Sequence, residues 1–388
     1  METIRAESRL TFWEATGILI GHGVGAGILA VPFYASRNTV GEIFLIVGFS
    51  FLFNVILHLL IAELSLNNGG AQFVACFDRE LFSGKLKKLF TWLSFVLLGL
   101  SIIVNVSAFL TGAADVFVSW FELPRLAGAL IFYVIGAGVV FVGMKLIGIC
   151  EKYAVISMSA VTVLLFIATL IQDFTPVRTL STGSDSALAL FGMVSFSLSA
   201  VMSTPQVVKG LNGDIRRIRR SVITALAVNC TLILLVTFST ILSVGDRLTG
   251  KAALVDLADH LGSWVSIVGY VFTLMALATS FWSNTLNLRD IVSEQTHWRR
   301  NSSWFAATVP CLAVACFCIV SGASFSALSR FASVVQVVTG LGIIIAYQLS
   351  RRRVGSSPLL GKFGSLPVCV LVACCSVLAT VGAVIPVE

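Results

Sequence analysis

Apolar runs of membrane length recur along the whole chain, and they leave it almost no choice of environment. Runs of about 20 residues, the length that crosses a bilayer as a helix, lie near 11–35, 40–66, 90–119, 125–144, 152–172, 187–210, 221–244, 264–288, 303–321, 325–349 and 366–386. Hydrocarbon offers no partner to backbone N–H and C=O groups, so each run is read as a transmembrane helix that satisfies its own. Hydrophobic residues make up 57% of the chain and charged ones 12%, with a mean hydropathy of +0.96. That is more apolar surface than a soluble domain of this length needs. The expectation is an all-α integral membrane protein with one domain over 1–388, since no connection is long enough to hold a second.

Basic residues set the expected orientation. With the N-terminus inside, 20 of the 26 lysines and arginines fall on cytoplasmic segments, five fall outside and Arg330 lies within a span. Such asymmetry predicts a cytoplasmic N-terminus and an external C-terminus in a cell membrane. The net charge of +7 therefore reflects topology, and Arg216, Arg217, Arg219 and Arg220 read as a clamp on the membrane surface rather than a nucleic-acid patch. Met1–Leu10 is polar and the first apolar run is long and interrupted, so no cleavable signal is expected. Nine cysteines show no zinc or disulfide spacing and are read as small packing residues. Four scattered histidines (22, 58, 260 and 297) have no metal spacing either, which speaks against a membrane enzyme.

The first run should not stay helical. Gly21, Gly23, Gly25 and Gly27 alternate, and Pro32 follows; each glycine costs about 1 kcal/mol against alanine in a helix interior, and proline crowds the preceding turn. A break in mid-membrane survives only where freed backbone meets protein, water or ligand. Amides around Gly23, Gly25, Ala26 and Gly27 would face an anionic group at the positive end of the second half-helix. Carbonyls around Gly21 and Val24 would face a cation. The same glycines also fit small-xxx-small helix packing. The sixth run repeats the design: Gly192 to Pro205 is rich in hydroxyls and small residues and closes on a proline. Weakened helices at matching places in two halves, spans 1–5 and 6–10, point to a transporter site between inverted repeats.

In the eighth run, Thr279 and Ser280 with the carbonyl of Ala276 offer three oxygens to a hard cation, although such hydroxyls commonly bond back to their own helix. His22 beside the break, and Asn105 with Ser107 and Thr111 on a polar face of the third span, are further candidates. Glu63 is expected to brace an inner gate. Arg330 is expected either to pair with Asp115 or Glu42 as an outer gate or to snorkel outward. Residues 67–89 read as an interfacial or re-entrant helix, and 246–263 as a short amphipathic lid. Glu14 and His58 are read as structural.

Gly-x-x-x-Gly-x-Gly-Ile-Leu-x-x-Pro in the first span, Ala62-Glu63-Leu64 running into Gly69-Gly70, Ser203-Thr204-Pro205 and Ala278-Thr279-Ser280-Phe281 resemble the amino acid–polyamine–organocation superfamily. The nearest likeness is to amino acid permeases of the aromatic and auxin-permease type. The resemblance implies a LeuT-type fold of five plus five inverted helices, here repeats 11–172 and 187–349 with helices 1 and 6 discontinuous, plus one further C-terminal helix (366–386). It also implies one sodium site built from Gly21, Val24, Ala276, Thr279 and Ser280. Ile28 stands where some members place an asparagine for a second sodium. No lysine lies near Ser157–Met158, where proton-coupled relatives often carry one.

These readings converge on a secondary active transporter importing a neutral or aromatic amino acid with sodium. The substrate carboxylate would dock on Gly23, Gly25 and Gly27, and the ammonium near Ser195, Phe196, Ser197 and Ser199. Phe196, Ser199, Asn105 and Ser283 would select the side chain. A proton-coupled permease or exchanger of the same fold, and a non-transporting amino acid sensor, are the alternatives. The expected partners are the substrate and the bilayer, with a monomer or weak homo-oligomer.

Overall fold

The structure, a computed structural model, describes residues 9–177, 180, 183–245, 248, 253–321 and 325–385; the side chains of Ala26, 325–334, 336 and 337 lie outside that description. The described residues are helical throughout, without strands: α1 (Phe12–Gly23), α2 (Val31–Ala35), α3 (Val40–Asn67), α4 (Phe73–Glu80), α5 (Lys87–Phe121), α6 (Arg125–Val142), α7 (Met144–Leu170), α8 (Ser184–Ser197), α9 (Thr204–Gly210), α10 (Ile215–Val244), α11 (Ala253–Leu261), α12 (Trp264–Thr296), α13 (Arg300–Ser321), α14 (Phe325–Val354) and α15 (Leu366–Val384). Among these residues nine helices are long and apolar enough to cross a membrane, with Ser184–Gly210 (α8 through α9) counted as one, or ten if α1 and its continuation form one bent span. The expected tenth run falls in α14, part of which lies outside the described side chains.

Local chemistry starts and stops these helices. Thr11 with Glu14, and Thr39 with Glu42, form reciprocal capping boxes at the starts of α1 and α3, each satisfying two otherwise unpaired amides. Pro32 and Pro205 sit in the first turns of α2 and α9, where a missing N–H is harmless. Glu42 is thereby engaged with Thr39; its expected pairing with Arg330 lies outside the described residues.

The packing is that of a membrane protein. Phe44, Leu45, Phe49 and Leu52 on α3 and Val134 and Ile135 on α6 are exposed, while Asn54, His58, Glu63, Glu151, Asn229, Asn287 and Asp290 are buried. Large apolar side chains outside and polar ones inside suit a hydrocarbon solvent and a functional interior. The C-terminal helix α15 presses on α8 at Gly192 and Gly382: a Cβ on Gly382 would lie 2.1 Å from the Leu188 carbonyl oxygen. Helix α4 occupies part of the expected interfacial segment, and α11 part of the expected lid, of which residues 246, 247 and 249–252 lie outside the described residues. Asp256 is buried within α11, so the polar side of that helix is not wholly a solvent face.

Candidate substrate and cation site

The glycine-rich stretch follows its chemistry. Helix α1 stops at Gly23, a single 3-10 turn covers Ala26–Leu29, and α2 starts at Val31. The two helical pieces meet at 51°. In the sixth run α8 stops at Ser197, a 3-10 turn covers Val201–Ser203, and α9 follows. These two irregular stretches face each other. A Cβ on Gly27 would lie 2.9 Å from both Phe196 Cδ1 and Ser197 Oγ, and one on Gly23 would lie 3.3 Å from the Ser197 carbonyl oxygen. His22 Nδ1 and Ser203 Oγ, 2.8 Å apart, tie the stretches together directly. Gly25 and Gly27 are half-buried and Phe196 is 58% exposed, with the Phe196 ring lying against Gly27.

Backbone groups freed by the sixth-run interruption find a partner that the sequence reading left as structural. The Ala200 N–H donates to His58 Nε2 at 2.8 Å, and His58 Nδ1 lies 2.7 Å from the Asn54 carbonyl. A nitrogen that accepts carries no proton, so the ring proton sits on Nδ1 and is donated to Asn54. Histidine thus supplies the acceptor that a continuous helix would have supplied.

Next to Gly21 the first run meets α12. Thr279 Oγ1 lies 2.9 Å from the carbonyl oxygens of both Gly21 and Ala276. Ser280 Oγ lies 3.0 Å from where a Cβ on Gly25 would stand. Val24, Ala276, Thr279 and Ser280 are all buried. Three oxygens from two helices therefore converge, with a second hydroxyl a short step away.

Two side chains at this centre carried no role in the sequence reading. Glu151 on α7 is fully buried; its Oε1 accepts from Ser283 Oγ at 2.9 Å, while Oε2 has no hydrogen-bond partner. That free oxygen fills the space beside Gly21, 1.9 Å from where a Cβ would be. Asn229 on α10 is also fully buried, both its amide atoms lack partners, and its Nδ2 lies 2.3 Å from the Cβ position of Gly23. A polar side chain in the middle of an apolar run was the available signal for Asn229. For Glu151 the signal was hidden, because the fifth run was placed at 152–172 whereas α7 begins at Met144.

Other expected contacts are redistributed. Ser283 is buried and donates to Glu151, so its hydroxyl is engaged on the α7 side. Ser195 points its hydroxyl at Ser50 on α3, and Ser197 donates to the Met193 carbonyl. Ser107 donates to the Cys311 carbonyl on α13, which makes it a packing residue. Asn105 and Ser199 are half-buried. The side chain of Ala26 lies outside the described residues.

Residues 9–318 match the tryptophan/tyrosine permease family. The chain is a member of that family. No curated protein matches the permease's sequence. Its fold matches MhsT in complex with L-phenylalanine at a TM-score of 0.67, with 14% identity over 97% of this chain and 99% of the other. It matches Mhp1, a nucleobase-cation-symport-1 family transporter in a closed conformation with bromovinylhydantoin bound, at 0.66, with 14% identity over 97% and 91%. A manganese transporter of Eremococcus coleocola, in complex with an aromatic bis-isothiourea substituted compound, matches at 0.62, with 14% identity over 96% and 85%. The permease therefore shares a LeuT-like fold with these structures, and its family is one of permeases.

The expected gates divide. Glu63 of the permease is fully buried and accepts from Tyr347 Oη at 3.0 Å and from the amides of Leu359 and Leu360 at 2.8 and 3.1 Å. It thus ties α3 to α14 and to the link before α15. Asp115 is exposed and pairs with Arg125 at 2.6 Å, ten residues along the chain. Asp115 thus has a local partner; the expected pairing with Arg330 lies outside the described residues, because the Arg330 side chain is not among them. On the face where α9 ends, Lys209 meets Asp290 at 3.2 Å, and Gln206 and Asn287 bind α12 and the second 3-10 turn through the Ser283 and Met202 carbonyls. Sequence reading missed these contacts between the second half of run six and α12.

Proposed function

We propose that this permease is a secondary active transporter that imports an aromatic amino acid, tryptophan or tyrosine by the family it belongs to, together with a cation. The observation that carries the reading is the pair of interrupted helical runs facing one another at Gly23–Gly27 and Phe196–Ser199. Free amides of the first stretch would hold the substrate carboxylate. Carbonyls and hydroxyls near Phe196, Ser197 and Ser199 would receive the ammonium group. Phe196 offers an aromatic face to the side chain. Asn229 joins this set, since an unpartnered buried amide beside Gly23 has both a donor and an acceptor to give a zwitterion. Alternating access would move the two five-helix repeats, 11–172 and 187–349, about this fixed centre, with the N-terminus on the cytoplasmic side.

Sodium at Gly21, Val24, Ala276, Thr279 and Ser280 is the proposed coupling ion. The short separations among the Thr279 hydroxyl and the two carbonyls support an oxygen cage linking α1 to α12. Sodium drives uptake only by favouring one conformation over the other. A second reading, coupling to protons, is favoured by the unpaired carboxylate of Glu151 at the same place. Uptake of labelled tryptophan, tyrosine, phenylalanine, leucine and lysine into proteoliposomes, with sodium and pH gradients imposed separately, tests the proposal. Accumulation of the aromatic substrates above equilibrium under one gradient is the expected result. Saturable binding without counterflow would instead make the protein a sensor.

A further inference from the structure

Resting on that transporter reading, we propose that Glu151 is the coupling residue: its carboxylate is the anionic partner of the monovalent cation that drives transport. Burial and connectivity carry the argument. The side chain is fully buried, and among the described residues no ion pair involves it. One oxygen is held by Ser283 on α12 and the other has no partner. An uncompensated carboxylate inside a membrane protein is costly enough that it holds a cation in one form or another. Nearby lysines are committed elsewhere: Lys145 binds Glu14, and Lys152 lies over the ring of Tyr153.

The free oxygen is aimed at the cluster already described. It lies 1.9 Å, and Thr279 Cβ 3.0 Å, from one point beside Gly21, so the two atoms are within about 5 Å of each other. A cation there would meet oxygens from α1 (Gly21), α7 (Glu151) and α12 (Ala276, Thr279), the mixed carboxylate, carbonyl and hydroxyl set that hard cations prefer. Neutral oxygens alone would give weaker binding; the carboxylate adds the charge that neutralises the ion in a low-dielectric interior. The site would exist only while α1, α7 and α12 are together, so occupancy biases the conformational equilibrium. Glycine at position 21 follows from the same geometry, because a methyl group would occupy the carboxylate's place.

A sodium ion and a proton both supply a monovalent cation to a carboxylate, and the two arms of one experiment separate them. Full-length wild type, Glu151→Gln and Glu151→Asp are reconstituted, and tryptophan accumulation is measured under a sodium gradient at fixed pH and under a pH gradient without sodium. Counterflow is measured at equal ion concentrations. In the arm that drives the wild type, Glu151→Gln should lower the accumulation ratio about tenfold or more while counterflow falls by less than about threefold, and Glu151→Asp should keep part of the accumulation. A coupling loss that exceeds the exchange loss is what a merely structural role would not produce. Equal accumulation in Glu151→Gln and wild type, or parallel collapse of accumulation and counterflow, overturns the inference. Thermal stabilisation of the purified proteins by sodium, or by lowering pH, is read independently of substrate. Cation stabilisation of wild type but not of Glu151→Gln, with no transport of any amino acid, would keep Glu151 as the cation partner and sink the transporter reading. No difference between the two proteins in either assay sinks Glu151's role.

Discussion

Replacing Gly21 with alanine isolates the point where the first run, α7 and α12 meet. The new methyl carbon would stand 1.9 Å from Glu151 Oε2 and 3.0 Å from Thr279 Cβ, so the carboxylate must swing away. Leaving its place breaks the Ser283 hydrogen bond to a charged group, about 1.5–3 kcal/mol. An off-rotamer glutamate costs about 0.5–1.5 kcal/mol more. The neutral bond from Thr279 to the Gly21 carbonyl, about 0.5–1.5 kcal/mol, is disturbed as well. Together these give about 2.5–6 kcal/mol against the cation-ready arrangement, which corresponds to a rise of upwards of about 50-fold in the half-saturating cation concentration. The control is Gly48→Ala on α3, where a Cβ would meet nothing within 4 Å; alanine there should stabilise the helix by about 0.5–1 kcal/mol. Apparent melting in detergent and uptake in proteoliposomes are compared for both variants. A double variant, Gly21→Ala with Glu151→Ser, removes the obstructing carboxylate and should regain stability without regaining concentrative uptake. Gly21→Ala behaving like Gly48→Ala in both assays would refute the reasoning.

His58→Ala should orphan the Ala200 amide at a cost of about 1–3 kcal/mol, seen as a lower melting temperature, and His58→Gln should recover part of it by offering an acceptor; equal melting of wild type and His58→Ala would contradict the capping role. Glu63→Ala should destabilise more than Tyr347→Phe, because the former strands the two amides of Leu359 and Leu360 while the latter removes one charge-assisted bond, about 1.5–3 kcal/mol, and a weaker contact with Ser357; the reverse order in thermal melts would show that the carboxylate is not the hub. Asp115→Asn touches an exposed pair, so its effect on stability should stay below about 1 kcal/mol; a large loss of stability in thermal melts would contradict that.

The readable part of this protein is what the polypeptide's own periodicity and backbone chemistry decide. Membrane-length runs gave the helices, and glycine density with a following proline marked the place where α1 gives way to a 3-10 turn. Gly21, Ala276 and Thr279 came together only through the family resemblance, and the Thr279 hydroxyl indeed lies within hydrogen-bond distance of the other two carbonyls. Which neighbour a helix face meets is a tertiary matter, and there the sequence was silent. Ser283 looked like a pocket residue because it lies one turn beyond Thr279, but that face turns toward α7 and its hydroxyl serves Glu151. Glu151 itself fell just outside the fifth run as placed at 152–172, since α7 extends eight residues before that start. His58 showed no sign of its role, because its partner at Ala200 lies 142 residues away along the chain. Asp115 has a partner close in sequence as well, Arg125, which the expectation of a distant gate passed over.

An experimental structure with bound tryptophan tests the central claim most directly. The account predicts ligand density between the two interrupted stretches, with the carboxylate within hydrogen-bond distance of the Gly25 or Gly27 amide and the ring against Phe196. An uninterrupted helix from Phe12 to Ala35, or tryptophan bound away from both stretches, would contradict it.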